Sequence, residues 1–119
     1  MQNYKTLNVW RKAHELVLYV YNVTRDFPKI EQFNLTSQLR RATTSIPTNI
    51  AEGCGKFTQS DFANFLQTAL GLSNEGEYLT LLSHDLAYLS DAHFRDLEAR
   101  VSEVKAMLIN LIKQVHKKP

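Results

Sequence analysis

The sequence predicts an all-α fold: an antiparallel up-and-down four-helix bundle with a Pro-kinked second helix. Three observations lead there. Apolar residues recur at three- and four-residue spacings in four successive stretches. Only 4 Gly and 3 Pro occur among 119 residues, too few turn formers for a sandwich or barrel of many short strands. The gaps between the four stretches are short, which sets consecutive helices antiparallel. The length suits one domain, residues 1–119, able to bury about two-thirds of its unfolded surface.

The first stretch covers residues 7–27. Val9, Ala13, Leu16, Val20, Thr24 and Phe27 form its seam, and Trp10, Val17 and Tyr21 widen it. Thr6 or Asn8 is expected to cap its start, and Pro28 to end it by disfavouring helical geometry at Phe27. In the second stretch Leu35, Leu39, Ala42, Ile46, Ile50 and Gly53 keep the period. Pro47 lies inside it, removing one backbone donor and crowding the preceding turn, so a kink is expected. Gly53-Cys54-Gly55 is expected to supply the left-handed residues that stop this helix.

Thr58 with Asp61 reads as a capping box opening the third and longest pattern: Phe62, Phe65, Ala69, Leu72, Gly76, Leu79, Leu82, Leu86 and Leu89. Continuous to Leu89, that helix would be about 46 Å long at ~1.5 Å per residue. Ser90 or Asp91 caps the fourth stretch, where Phe94, Leu97, Val101, Val104, Leu108, Leu111 and Val115 hold the period. The basic tail after it suits a helix C-terminus. Leu18, Tyr19, Val23, Leu70, Tyr78, Leu81 and Tyr88 lie largely off the seams, and a helix apolar over more than one face usually has a second neighbour, which favours self-association.

Apolar residues make up 44% and charged residues 22%, a globular rather than disordered balance. The lone Cys54 excludes an internal disulfide and multi-cysteine zinc motifs, and a reducing, cytoplasmic setting is the expectation. The first residues carry no secretory-signal pattern, and the longest nearby apolar run, residues 16–21, is too short to span a bilayer. Net charge is +2, split into +4 over residues 1–60 and −2 over residues 61–119. That asymmetry permits nucleic-acid binding without requiring it.

The sharpest polar pattern is Gln38, Arg41, Ser45, Asn49 and Glu52. Each stands one position before a seam residue of the second helix, so the stripe flanks the core by ~100°. Partly buried polar groups need partners, and Glu75 or Glu77 is the expected carboxylate for Arg41, while Asn49 is expected to stitch the backbone opened by Pro47. An internal register-fixing network is the simpler account of the stripe; a ligand or partner site is the other. Catalysis is not expected, because no base–nucleophile pair is evident.

His14, His84, His93 and His116 fall on different helices or helix ends, without metal-ligand spacing, and His84 and Asp85 point about 100° apart. Cys54, between two glycines, reads as a small apolar filler. No phosphate-cradling glycine motif occurs, so no cofactor, metal or small-molecule substrate is expected. The candidate nucleic-acid contacts are Arg11, Lys12, Arg40, Lys113, Lys117 and Lys118, with Arg40 expected to reach solvent more readily than Arg41; Tyr4 and Trp10 offer stacking surfaces.

Residues 39–53, LRRATTSIPTNIAEG, closely resemble the signature of the bacterial "four helix bundle" proteins, a family first named for reading frames within intervening sequences of 23S ribosomal RNA genes. Leu7, Asn8, Val9, Trp10, Lys12, Ala13, Phe27, Pro28, Gln38, Phe62, Phe65 and Leu66 extend the resemblance over essentially the whole chain. The resemblance implies a small all-α bundle assembled as a cyclic homo-oligomer, a pentamer, and similar bundles act beside reverse transcriptase and RNA in diversity-generating retroelements. It places the family motif on Arg40, Arg41, Ser45, Pro47, Asn49, Glu52 and Gly53. The chain departs from the family pattern in its third helix, where Leu72 follows Gly71 in place of Ser, with Glu75 kept, and Gly76 replaces a larger apolar residue.

The expected function is therefore a non-enzymatic oligomeric interaction module, with structured RNA or DNA as the candidate partner and no membrane role. A protein-only structural scaffold is the alternative. Five copies of a +2 chain carry +10, so a ring gives the small net charge a meaning that a monomer does not.

Overall fold

A computed structural model describes residues 2–117. Four α-helices make up most of them: α1 Asn8–Val23, α2 Leu35–Cys54, α3 Gln59–Asp85 and α4 Asp91–His116. Three single turns of 3-10 helix, Tyr4–Thr6, Thr24–Asp26 and Lys29–Glu31, flank α1 and lead into α2, and no strand occurs among the described residues. Helix α2 packs on α1 and α3, and α4 also packs on α1 and α3, as a bundle requires. The body is a rod of 48 × 23 × 20 Å.

The periodic residues form one contiguous core, with Leu16, Leu39, Ile46, Ile50, Leu66, Leu97 and Leu108 fully buried. Six buried hydroxyl residues join them, and all but Thr24 lie outside the seams of the sequence pattern. Thr43, Ser73, Thr80 and Ser83 satisfy their hydroxyls by donating to carbonyls one turn back, at Leu39, Ala69, Gly76 and Leu79. Small side chains of this kind let helices approach closely. Gly53 shows it best: a Cβ there would lie 2.8 Å from Phe65 Cβ and 3.1 Å from the Phe62 ring.

Caps follow the chemistry of the residues at two of the four helix starts. Thr58 Oγ1 accepts the Asp61 N–H at 3.1 Å, and Ser90 Oγ accepts the His93 N–H at 3.1 Å. Helix α1 differs from expectation. Its N-cap is Leu7, which has no side-chain acceptor; Asn8 is already helical, and the hydroxyl of Thr6 donates to the Asn3 carbonyl. The expected left-handed glycines are absent from the end of α2 as well: Gly53 is buried inside the helix and Gly55 keeps right-handed geometry, φ −83°.

Helix α3 stops four residues before Leu89 and is about 40 Å long at ~1.5 Å per residue. Ala87 takes the left-handed conformation, φ 65°, while its N–H bonds the His84 carbonyl and the Tyr88 N–H bonds the Ser83 carbonyl. This Schellman closure uses alanine where glycine is usual, so the residue types carried no stop signal. Leu86 consequently faces solvent, and Leu89 is buried from the connection rather than from the helix. Val23, expected off the seam, is buried as well.

Candidate functional site

The polar stripe of α2 divides between two grooves. Gln38, Arg41 and Ser45 line a groove of about 230 Å³ facing Leu72 and Glu75 of α3. Glu52 lines a different one, about 440 Å³, between α1 and α2, together with Tyr4, Trp10, His14 and Pro47. Asn49 borders neither.

The internal network expected of this stripe forms only locally. Gln38 Nε2 donates to Asn34 Oδ1 at 2.9 Å. Asn49 Nδ2 donates to the Ser45 carbonyl at 2.7 Å, and Thr48 Oγ1 to the Thr44 carbonyl at 2.9 Å. The carbonyl deprived of a donor by Pro47 is that of Thr43, so Asn49 bonds a carbonyl two residues further along rather than repairing the gap. Arg41 is exposed and makes no ion pair with Glu75 or Glu77, whose expected roles separate: Glu75 shares the groove, and Glu77 pairs with Lys105 of α4 at 3.0 Å. Glu52 is likewise exposed and without a side-chain partner among the described residues.

The two adjacent arginines exchange their expected places. Arg40 is half-buried: its Nε donates to Thr24 Oγ1 at 2.9 Å, and its guanidinium lies over the Tyr21 ring at 4.5 Å. Arg41 is the one that reaches solvent. The other candidate cations are scattered. Arg11 is tied to the Asn8 side chain, Lys12 pairs with Glu103 of α4 at 3.5 Å, and Lys113 and Lys117 are exposed at the end of α4. Lys118 lies outside the described residues.

Among the histidines, His84 finds its carboxylate outside its own helix rather than at its sequence neighbour. It reaches across the α3–α4 connection to Asp91 Oδ1 at 2.7 Å, while Asp85 stands 3.8 Å away. The hydrogen bond and charge of His84 hold the Asp91 carboxyl below its ordinary range. Burial pushes the Cys54 thiol up, which suits a filler rather than a nucleophile. Trp10 stands edge-on to Tyr4 at 4.9 Å and stacks on His14 at 5.2 Å. No group of metal-ligating side chains converges among the described residues, and no described helix is long and apolar enough to cross a membrane.

Residues 39–53 therefore form a helix that contacts both of its neighbours, with the signature positions spread over two grooves and a glycine contact. The family profile described as 23S rRNA-intervening sequence protein matches residues 5–110. The chain belongs to the 23S rRNA-intervening sequence protein family. A crystal structure of a protein with unknown function from the S23 ribosomal protein family, from Bacteroides thetaiotaomicron, is similar at a TM-score of 0.82. It is 28% identical, and the match covers 88% of this chain and 95% of that one. No curated protein matches the chain. In this member of the family, sequence reasoning missed two features. The first is the aromatic wall of the α1–α2 groove, foreshadowed only by Tyr4 and Trp10. The second is a basic pocket in the α1–α2 connection, where no periodicity applies.

Proposed function

We propose that this chain is a non-enzymatic interaction module that works as a homo-oligomer, a pentamer, and contacts structured RNA or DNA through surface Arg and Lys in a reducing, cytoplasmic setting. Its architecture in this reading is the antiparallel up-and-down bundle with a kink at Pro47. Pairing of Lys12 with Glu103, and of Tyr19 with His93 by an edge-on ring contact at 6.3 Å, supports opposite running directions for α1 and α4.

The observation that carries the oligomer is an unpartnered apolar strip on the outer side of α3. Tyr78 is 59% exposed, Leu81 is also exposed, and the strip adjoins a groove of about 500 Å³ lined by Leu70, Ile109 and Ile112. Apolar surface arranged in a row, rather than scattered, marks an interface. Of the off-seam residues, Tyr19, Leu70 and Tyr88 pack against the core instead, and on α1 only Leu18 is exposed alongside Tyr78 and Leu81 of α3.

Light scattering on the wild-type chain at micromolar concentration should return the mass of five chains, and Leu81→Glu should shift it to a smaller species. A monomeric wild type removes both the assembly and the gathering of charge that assembly brings. Binding to ribosomal RNA fragments over a salt series tests the second half. Affinity should be greatest at low salt and fall steeply with added salt, and no binding at low salt eliminates the nucleic-acid role.

A further inference from the structure

The connection between α1 and α2 encloses a pocket of about 190 Å³ lined by Arg25, Lys29, Arg40, Gln32, Thr24 and Thr36 together with Phe27 and Pro28. Three cationic side chains border it and no carboxylate does. The acids of the same segment are otherwise placed. Glu31 accepts from the Asn34 side chain at 3.1 Å, from the Leu35 N–H at 3.3 Å and from Tyr88 Oη at 3.0 Å. Asp26 is not among the lining residues. Arg40 is fixed by Thr24 and Tyr21, while Arg25 and Lys29 have neither an ion pair nor a side-chain hydrogen bond among the described residues.

The floor of the pocket is short of acceptors. Thr36, only 7% exposed, lines the pocket, and its hydroxyl has no hydrogen-bond partner. Thr36 is the second residue of α2, whose first turn is capped only at Leu35, by Glu31 Oε1. Asn34 holds the N-cap position, but its Oδ1 accepts from Gln38 Nε2 instead of from the helix amides. The N–H groups of Thr36 and Ser37 therefore stand at the positive end of a 20-residue helix with no protein acceptor among the described residues. One held and two free cations beside the open first turn of α2, with no facing carboxylate, are the complement of an oxyanion. The volume accommodates one tetrahedral oxyanion and a few waters of about 30 Å³ each.

We infer that this pocket binds a phosphate group, with Arg25 and Lys29 supplying charge, Arg40 a pre-set guanidinium, and the first turn of α2 its amides. The carrier favoured here is a phosphodiester of a nucleic-acid strand, a choice that rests on the nucleic-acid reading above. The same connection projects Ile30, 86% exposed, and Phe33, 90% exposed, into solvent, and side chains of this kind offer a base a surface to lie on.

Inorganic phosphate titrated into 15N-labelled protein, against chloride of matched ionic strength, reads the pocket directly. Chemical-shift changes should cluster at Arg25, Lys29, Thr36 and Ser37 and vanish in Arg25→Ala/Lys29→Ala; both side chains are exposed, so the fold should be unaffected. The double variant should also lose about tenfold or more in affinity for a single-stranded RNA at low salt, with the slope of log K on log salt falling by about one to two. Absence of phosphate shifts at these amides, or shifts that persist in the double variant, overturns the pocket whether or not RNA binds. Phosphate shifts as described with no RNA binding by the wild type sustain the pocket, assign it to small phosphates, and overturn only the nucleic-acid reading.

Discussion

On its α3 side, α2 comes so close to its neighbour that Gly53 has no room for a methyl group against Phe65, and Gly76 on α3 sits where a Cβ would be 3.4 Å from the Thr43 methyl. On its α1 side the same helix leaves a groove of about 440 Å³ walled by Tyr4, Trp10, His14 and Pro47. Both surfaces are built from one segment, residues 39–53. The residues of this segment therefore do not form a single site. Part of the segment sets a helix–helix distance, through Gly53 and through Thr43, whose buried hydroxyl donates within its own helix. The rest shapes an open flank on which Glu52, and on the next groove Arg41, stand without a side-chain partner among the described residues.

Gly53→Ala attacks the closed side and should have the largest effect. Alanine gains up to ~1 kcal/mol of intrinsic helix preference over glycine. Its Cβ, however, meets the Phe65 Cβ, which is not the movable end of a side chain, so the two helices must shift apart. Overpacking of this kind costs ~1–3 kcal/mol, and a net loss is expected in denaturant unfolding. Cys54 provides a second readout beside it. The thiol is buried and its pKa raised, so alkylation near neutral pH should be slow in the wild type. Labelling should accelerate about tenfold for every ~1.4 kcal/mol by which the variant eases local opening. Unchanged stability and labelling would mean that the α2–α3 distance is set elsewhere.

How much of this was visible beforehand depends on what kind of information each feature needs. The number of helices and their buried faces follow from the apolar period, because burial repeats with the helix. Thr58 and Ser90 cap as their oxygens allow. The end of α3 was not legible: Ala87 accepts a left-handed conformation that glycine usually marks, and a pattern that continues through Leu86 and Leu89 hides the break. Arg40 and Arg41 differ by one position, and period alone placed the wrong one in solvent. What decides between them is the presence of Thr24 and Tyr21 across the α1–α2 interface, a tertiary fact. The basic pocket was invisible for the same reason, since Arg25, Lys29 and Thr36 converge only through the path of a short 3-10 connection.

Gly71→Ala provides the control for Gly53, with the opposite sign. A Cβ at Gly71 meets nothing within 4 Å inside the chain, and the residue is exposed in the middle of α3. Alanine should therefore stabilise the fold by ~0.5–1 kcal/mol through reduced backbone entropy and helix preference. Gly71 also lines the groove beside the exposed apolar strip of α3 and α4. In the proposed oligomer the variant should thus raise the unfolding midpoint of the chain while leaving assembly unchanged or weaker by light scattering. A destabilised chain would place Gly71 in a close contact like that of Gly53.

The smallest effects are expected at the two unpaired charges, and they separate the remaining readings of the stripe. Arg41 and Glu52 make no side-chain hydrogen bond or ion pair among the described residues, and both are exposed, so truncation within an isolated subunit should change stability by no more than ~0.5 kcal/mol. Each lies on a different flank of α2, which makes the pair informative. If Arg41→Ala weakens assembly while Glu52→Ala does not, the groove facing α3 meets the next subunit; the reverse result assigns that contact to the α1 groove. Measurement of unfolding midpoint and assembled mass at several protein concentrations distinguishes the two, because loss of a contact between subunits becomes larger on dilution, whereas loss of an internal one does not. A concentration-independent drop well above ~0.5 kcal/mol for either variant would show that the stripe stabilises the subunit itself, against the exposed and unpaired geometry of both side chains.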